Sequence, residues 1–247
     1  MLTIVEKQSQ DRLLRAAAQH LCATISDLLT KREQVNLAVP GGRSMAKIFE
    51  AMQTEQLDWQ RVQFFIIDER LVAIDHPDSN YLLLHKYCIA PLVRSKRIQP
   101  GNAHPFIFEP ALADRGIKNY EQVLAQHGFR YDIILLSAGE DGHVGALYPN
   151  HHSLANQHHG CIVMYDSPKP PPERMTSSRS LMQTAEIAFL LFIGETKRKA
   201  YEQFMDAACP VGDCPAKLVL TLPEVAVFTD LSTPTTLENH DRKTHFS

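Results

Sequence analysis

Residues 35–44 read VNLAVPGGRS. Val35 to Val39 is a short apolar run of the length expected for a buried strand. The run stops at Pro40-Gly41-Gly42, and apolar residues then recur at helical spacing from about Ser44 to Met52. The same alternation continues on both sides. Upstream, residues 8–31 place Leu13, Leu14, Ala17, Leu21, Ile25, Leu28 and Leu29 three and four apart, which predicts an amphipathic helix. Downstream come further apolar runs at Val62–Ile67, Tyr131–Leu136, Cys161–Tyr165 and Ile187–Ile193, with a shorter one at Ala226–Phe228. Helices are expected over 109–128, with Tyr120, Val123 and Leu124 on one face and Gly128 as a stop, and over Thr196–Ala208. Apolar strands with helices between them predict an α/β fold. Its core is a Rossmann-like, mostly parallel sheet covered by helices on both faces, in a single domain.

The chain has 247 residues, and its length suits one large domain. We place that domain at 1–230, followed by a polar C-terminal tail at 231–247. Twenty-five basic against 28 acidic residues give a net charge of −3, so no global positive field exists to attract nucleic acid. No stretch approaches the ~20 apolar residues of a membrane span. The N-terminus lacks the basic-then-apolar layout of a signal peptide. The five cysteines are odd in number and scattered, which favours reduced thiols in a cytoplasmic protein over a disulfide framework. The pairs His151-His152 and His158-His159 are read as surface loop residues. Adjacent side chains on an extended segment point to opposite faces, and no HExxH or CxxC spacing is present, so no metal site is expected.

Ligands of parallel sheets bind at the carboxyl ends of the strands, so the residues after each run carry the functional reading. After the first run, Gly41 and Gly42 allow close backbone approach, and Arg43 and Ser44 open a helix whose N–H groups suit an anion. The spacing is neither that of a P-loop nor GxGxxG. After the second run come Asp68, Glu69 and Arg70, then Asn80. The two carboxylates call for partners if buried, and Arg70 can pair with them or with a phosphate. After the third run, Gly139-Glu140-Asp141-Gly142-His143 packs an acid, a base and backbone donors together. There Asp141 can orient a His143 general base. Arg174 and Lys197 follow the next two runs, each a cation near a strand end.

These residues resemble the 6-phosphogluconolactonases. The matching segments are VPGGRS (39–44), FFIIDERLVAIDHPDSNYLLL (64–84), YDIILLSAGEDGHVGALYP (131–149), SPKPPPERMT (167–176) and FLLFIGETKRKA (189–200). The resemblance covers about residues 10–230. It implies hydrolysis of 6-phospho-D-glucono-1,5-lactone with His143 and Asp141 as the catalytic pair and no cofactor. It further implies that Gly41, Gly42, Arg43, Ser44, Asp68, Glu69, Arg70, Asn80, Gly139, Gly142, Arg174 and Lys197 surround the substrate. The partner is then a small sugar-phosphate lactone, and the chain a monomer or weak homo-oligomer. Ser137 replaces the family's glycine, and Val144-Gly145-Ala146 stands where the family has Thr-Ala-Ser.

Two alternatives share the fold. Gly-x-Asp-Gly-His also occurs in the glucosamine-6-phosphate deaminases, but those carry Asp-Glu-Tyr in place of Asp68-Glu69-Arg70. They also carry Phe-Asn-Glu-Pro, where this chain has Ala146-Leu147-Tyr148-Pro149. The second alternative is a non-catalytic sugar-phosphate binder. Regulators of that kind add a helix-turn-helix, for which the residues before the first strand leave no room.

Overall fold

The computed structural model describes residues 1–7 and 9–232, with Arg43 described by its backbone only. The polar tail therefore lies outside the described residues from 233 onward. Ten strands are present among the described residues: β1 (Leu2–Glu6), β2 (Val35–Val39), β3 (Val62–Ile66), β4 (Asp68–Arg70), β5 (Ala103–His104), β6 (Ile133–Ser137), β7 (Cys161–Met164), β8 (Arg174–Ser177), β9 (Ile187–Phe192) and β10 (Glu224–Thr229). Seven form one sheet in the order β1-β10-β9-β6-β2-β3-β5. Every neighbouring pair in it is parallel.

Strand periodicity divides the core between the two faces of this sheet. In β6, Ile133 and Leu135 join one apolar cluster while Ile134 and Leu136 join the other, and β9 alternates in the same way. The long helix α1 (Gln10–Leu29) turns Leu13, Leu14, Ala17, Leu21, Ile25, Leu28 and Leu29 onto the first face. Helix α2 (Arg43–Met52) covers the same face through Met45, Ile48, Phe49 and Met52. The opposite face is covered by Ile117, Tyr120 and Leu124 of the helix Ile117–Gln126, and by Ala200, Tyr201 and Phe204 of the helix Arg198–Met205.

The strand order fixes where a ligand can enter. From β2 the chain adds β3 and β5 on one side. It then returns to place β6 on the other side of β2, and β9 and β10 continue outward from there. The order reverses between β2 and β6, and at such a switch point the loops leaving the two strands diverge and open a crevice. The loops in question are the Gly41-Gly42 turn and the segment Gly139–His143. At the other end of these strands Asp132 ties the sheet together. It accepts the Asn36 N–H at 2.7 Å and pairs with Arg32 at 2.8 Å and Arg130 at 2.6 Å.

Beyond the short strands β5 and β8, which the sequence leaves unassigned, the structure departs from the sequence-based expectation in five places. Leu2–Glu6, unassigned from sequence, is an edge strand paired with β10. The run Cys161–Tyr165 is a strand but not part of the parallel sheet. It lies in a separate antiparallel sheet of order β4-β8-β7. Asp68-Glu69-Arg70 is the strand β4 rather than a loop. The helix expected from residue 109 begins only at Ile117, because Arg115 and Gly116 adopt left-handed φ values of 58° and 99°. The Asp114 carboxylate then caps the true start, accepting the Lys118 N–H at 3.0 Å. A helical run from Asn80 to Arg94, with a π-wound turn at His85–Ile89, was not anticipated.

His104 at the end of β5 stacks on Phe65 at 4.6 Å and against His127 at 4.7 Å, with Nε2 2.9 Å from Gln63 Oε1. Burial, helped by the neighbouring His127, pushes its pKa down to about 4. An unfolded chain protonates this ring near 6.5. Between those values the unfolded state binds more protons, so stability falls as pH falls from about 6.5 to about 4. Urea unfolding of His104→Gln across this range should show a shallower fall than the wild type. An unchanged slope would remove His104 from the effect.

Candidate functional site

The Asp141–His143 pair is built by one glycine. Gly139 N–H bonds the His143 carbonyl at 2.8 Å, closing the loop after β6. A Cβ on Gly139 would fall 2.0 Å from His143 Nδ1 and 2.7 Å from Asp141 Oδ1, so only glycine lets the imidazole lie against this turn. His143 Nδ1 faces Asp141 Oδ1 at 2.5 Å. Burial raises the Asp141 pKa, but the hydrogen bond and charge of His143 outweigh it and hold this carboxyl well below the usual carboxylate range. Nδ1 is thus engaged as the proton-bearing nitrogen, and Nε2 is left as the basic one. The His143 side chain keeps 20% of its surface exposed, so water reaches it. On its inner side the ring lies 4.8 Å from that of the buried Tyr148.

The N–H groups of Gly139, Gly142 and His143 are taken up inside the loop, by His143 O, Gly139 O and Asp141 Oδ1 respectively. These backbone donors hold the loop's shape. Val144, Ala146 and Leu147 are fully buried. The departure from Thr-Ala-Ser therefore falls in the core, and Thr176 Oγ1 receives the Ala146 N–H at 3.2 Å.

Across the crevice, Glu69 organises the second half of the site. The residue is 2% exposed, and its carboxylate accepts four hydrogen bonds. The Arg70 and Asn80 N–H groups reach Oε1 at 2.8 Å each, and Tyr81 N–H and Ser79 Oγ reach Oε2 at 2.8 and 3.0 Å. The Asn80 side-chain amide donates to the Asp68 carbonyl at 2.7 Å. Its Oδ1 occupies the space where a Cβ of Gly41 would stand, at 1.7 Å. Gly41 is thus a packing requirement of Asn80, while Gly42 caps α2 with a φ of 110°. Arg43 is the first residue of α2, and Ser44 is half-buried in its first turn.

The two arginines differ in kind. Arg174 is buried in β8. Its Nε and Nη2 donate to the Pro171, Pro170 and Lys169 carbonyls, and Nη1 lies 3.6 Å from Asp68 Oδ2. The sequence places it as a cation near a strand end. It is a strut between β4 and the proline loop. Arg70 is half-buried, with Nη1 donating to the Asp78 carbonyl. Its Nε is buried with no hydrogen-bond partner among the described residues. Lys197 lies in the short turn Glu195–Lys197 beyond β9, the strand beside β6.

A cavity of about 430 Å³ adjoins Asp141, lined also by Glu140, Lys169, Lys199 and Asp213. Lys169 and Lys199 were not singled out from sequence, since an isolated lysine carries no local signal. The same holds for Tyr148 and Ser167, whose hydroxyls meet at 2.9 Å.

Comparisons with known proteins place the chain among relatives. Residues 8–227 match the family model described as glucosamine-6-phosphate isomerases/6-phosphogluconolactonase. A 6-phosphogluconolactonase of Borreliella burgdorferi is 28% identical over 201 residues, covering 81% of this chain and 86% of that protein. One from Mycobacterium leprae is 30% identical over 220 residues, covering 83% and 85%. Among solved structures, a 6-phosphogluconolactonase from Shewanella baltica superposes with a TM-score of 0.78 at 22% identity, over 93% of this chain and 97% of that one. The parallel sheet, with the Asp141–His143 pair on the loop leaving β6 at the switch point, is the fold shared with these solved structures. The chain belongs to the glucosamine-6-phosphate isomerase/6-phosphogluconolactonase family.

Replacing Glu69 by Gln turns an NH2 group toward donors that need an acceptor. Each buried donor left without one costs about 1–3 kcal/mol. Urea unfolding of Glu69→Gln should therefore show a loss of at least about 2 kcal/mol. A neutral substitution would contradict the role given to this carboxylate.

Proposed function

We propose that this chain hydrolyses 6-phospho-D-glucono-1,5-lactone to 6-phospho-D-gluconate, the lactone-opening step of the oxidative pentose phosphate pathway. The observation that carries the reading is the Asp141–His143 pair, its Nδ1 engaged and its Nε2 open, at the switch point of the sheet. The names borne by the relatives from Borreliella burgdorferi and Mycobacterium leprae support the same activity.

His143 Nε2 takes a proton from water, and the hydroxide attacks the lactone carbonyl carbon. When the tetrahedral intermediate collapses, the bond from that carbon to the ring oxygen breaks. The imidazolium then returns its proton to the departing oxygen. Asp141 stays ionised throughout and stabilises the imidazolium. The substrate's phosphate is held by Arg70, whose Nε has no hydrogen-bond partner among the described residues. It is also held by Lys197 and the α2 N-terminus at Gly42, Arg43 and Ser44. Asp68, Glu69, Asn80 and Arg174 act by holding these groups in place, and Gly41, Gly139 and Gly142 by shaping the two loops. The reaction requires no cofactor. On this reading the single domain spans 1–230, and the chain works in the cytoplasm as a monomer or weak homo-oligomer. Free cysteines accord with a reducing compartment. No helix among the described residues is long and apolar enough to cross a membrane.

The deaminase alternative needs an acid on the segment after the histidine. Here that segment is Ala146-Leu147-Tyr148-Pro149, whose first three residues are at most 1% exposed and carry no carboxylate. A mere binder would not need a base aligned by a carboxylate.

Lactone generated in situ from glucose 6-phosphate, with product followed through its NADP-dependent dehydrogenase, tests the proposal. The wild type should exceed spontaneous hydrolysis. His143→Ala should lose about 10²–10⁴-fold, the range of general acid–base catalysis. More than half of wild-type activity in the variant would refute the role of His143.

A further inference from the structure

The segment beyond Tyr148 carries a second group of histidines, which the lactonase reading does not use. The sequence-based expectation was that His151 and His152 point to opposite faces. Instead the chain turns there into the short helix His152–Ala155, and the two rings lie 4.1 Å apart at 37°. His151 is fixed from one side. Its Nδ1 accepts the Ser153 N–H at 3.2 Å and lies 2.9 Å from Ser153 Oγ, leaving Nε2 directed at Asp166 Oδ1, 3.6 Å away. His152 Nε2 sits 2.9 and 3.0 Å from the two Asp166 oxygens. One ligand atom from each of the three residues falls within 4.8 Å of the others.

We propose that His151 Nε2, His152 Nε2 and the Asp166 carboxylate form a binding site for a divalent transition metal of the zinc, cobalt and nickel class. Two imidazoles and one carboxylate are the donors such borderline ions prefer. Magnesium and calcium take oxygen sets, and copper(I) takes sulfur. Metal–ligand bonds of about 2.0–2.2 Å put neighbouring donors about 3–3.5 Å apart, and the histidine-to-aspartate distances already span 2.9–3.6 Å. A metal at His152 Nε2 takes the neutral ring with its proton on Nδ1, and the Asp166 carboxylate that faced Nε2 becomes a ligand of the same ion. His152 and Asp166 are 58% and 62% exposed, so the remaining coordination positions are open to water.

The site joins two segments that both approach the catalytic pair. Tyr148 stands between His143, at 4.8 Å, and His151, at 5.9 Å. Its hydroxyl meets that of Ser167, the residue after Asp166. A metal on His151, His152 and Asp166 therefore clips the 148–155 segment to the proline loop, one ring away from the base.

The test is calorimetric titration of the untagged full chain with Zn²⁺, and with Co²⁺ followed by its visible absorption. The wild type should bind one ion with His/carboxylate-type cobalt bands, and binding should raise its Tm. His152→Ala and Asp166→Asn, both at exposed positions, should each weaken binding at least tenfold, while His143→Ala should bind as the wild type does. Unaltered binding in His152→Ala and Asp166→Asn would overturn the proposal. So would loss of binding in His143→Ala, which would put the ion on the catalytic pair. Neither readout depends on turnover, so the lactonase reading can fail without affecting this one.

Discussion

The buried carboxylate of Glu69 is the constraint from which the site follows. Four donors converge on it from Arg70, Ser79, Asn80 and Tyr81. They dock the start of the helical run Asn80–Arg94 onto β4. A buried charge is tolerated only when its lone pairs are met, and here they are met by a strand and a helix start at once. From that docking a relay of contacts runs across the crevice. Asn80 holds Asp68 and packs on Gly41. Asp68 faces Arg174, and Arg174 gathers the carbonyls of Lys169, Pro170 and Pro171. Ser167 at the base of that loop meets Tyr148, and Tyr148 backs His143. The two halves of the site are thus one mechanical unit, although they come from opposite sides of the switch point.

That continuity explains why the same residue types do different work at different places. Asp68 and Arg174 lie in a small antiparallel sheet where both are buried, and their charges are used on each other and on backbone carbonyls. Arg70, directly opposite Arg174 in the register, keeps a buried donor without a partner among the described residues. Asp141 is half-buried and faces a histidine, so its charge is directed at an imidazole that water can still reach. Burial and partner, not residue identity, separate the structural ion pair from the acid–base pair.

The parallel sheet was legible because its strands are uninterrupted apolar runs, and α1 because its apolar residues keep strict helical spacing. The candidate site was legible in so far as it lies after those strands, as Gly41-Gly42 and Gly139–His143 do. What escaped was structure that leaves no period. β4 is three residues, two of them acidic, and reads as a loop until its partners are seen. β1 is an edge strand whose partner among the described residues lies more than 200 residues away. The false helix start at 109 came from counting apolar spacing through Arg115 and Gly116, whose left-handed backbone cannot be read from hydrophobicity. Tyr148 and Ser167 were missed because their roles exist only through a contact between distant segments. Arg174 was recognised as important but given the work of a ligand-binding cation, since sequence cannot show that its donors are already engaged.

The central claim is that this crevice joins a phosphate-holding end to a hydrolytic end. The most direct measurement is kcat/KM for 6-phosphoglucono-δ-lactone and for the unphosphorylated lactone, with ammonia release from glucosamine 6-phosphate followed in parallel. Hydrogen bonds to a charged group contribute about 1.5–3 kcal/mol each, so the account predicts a preference of at least about tenfold for the phosphorylated lactone. It predicts no ammonia. Equal rates on both lactones, or release of ammonia without lactone hydrolysis, would contradict it.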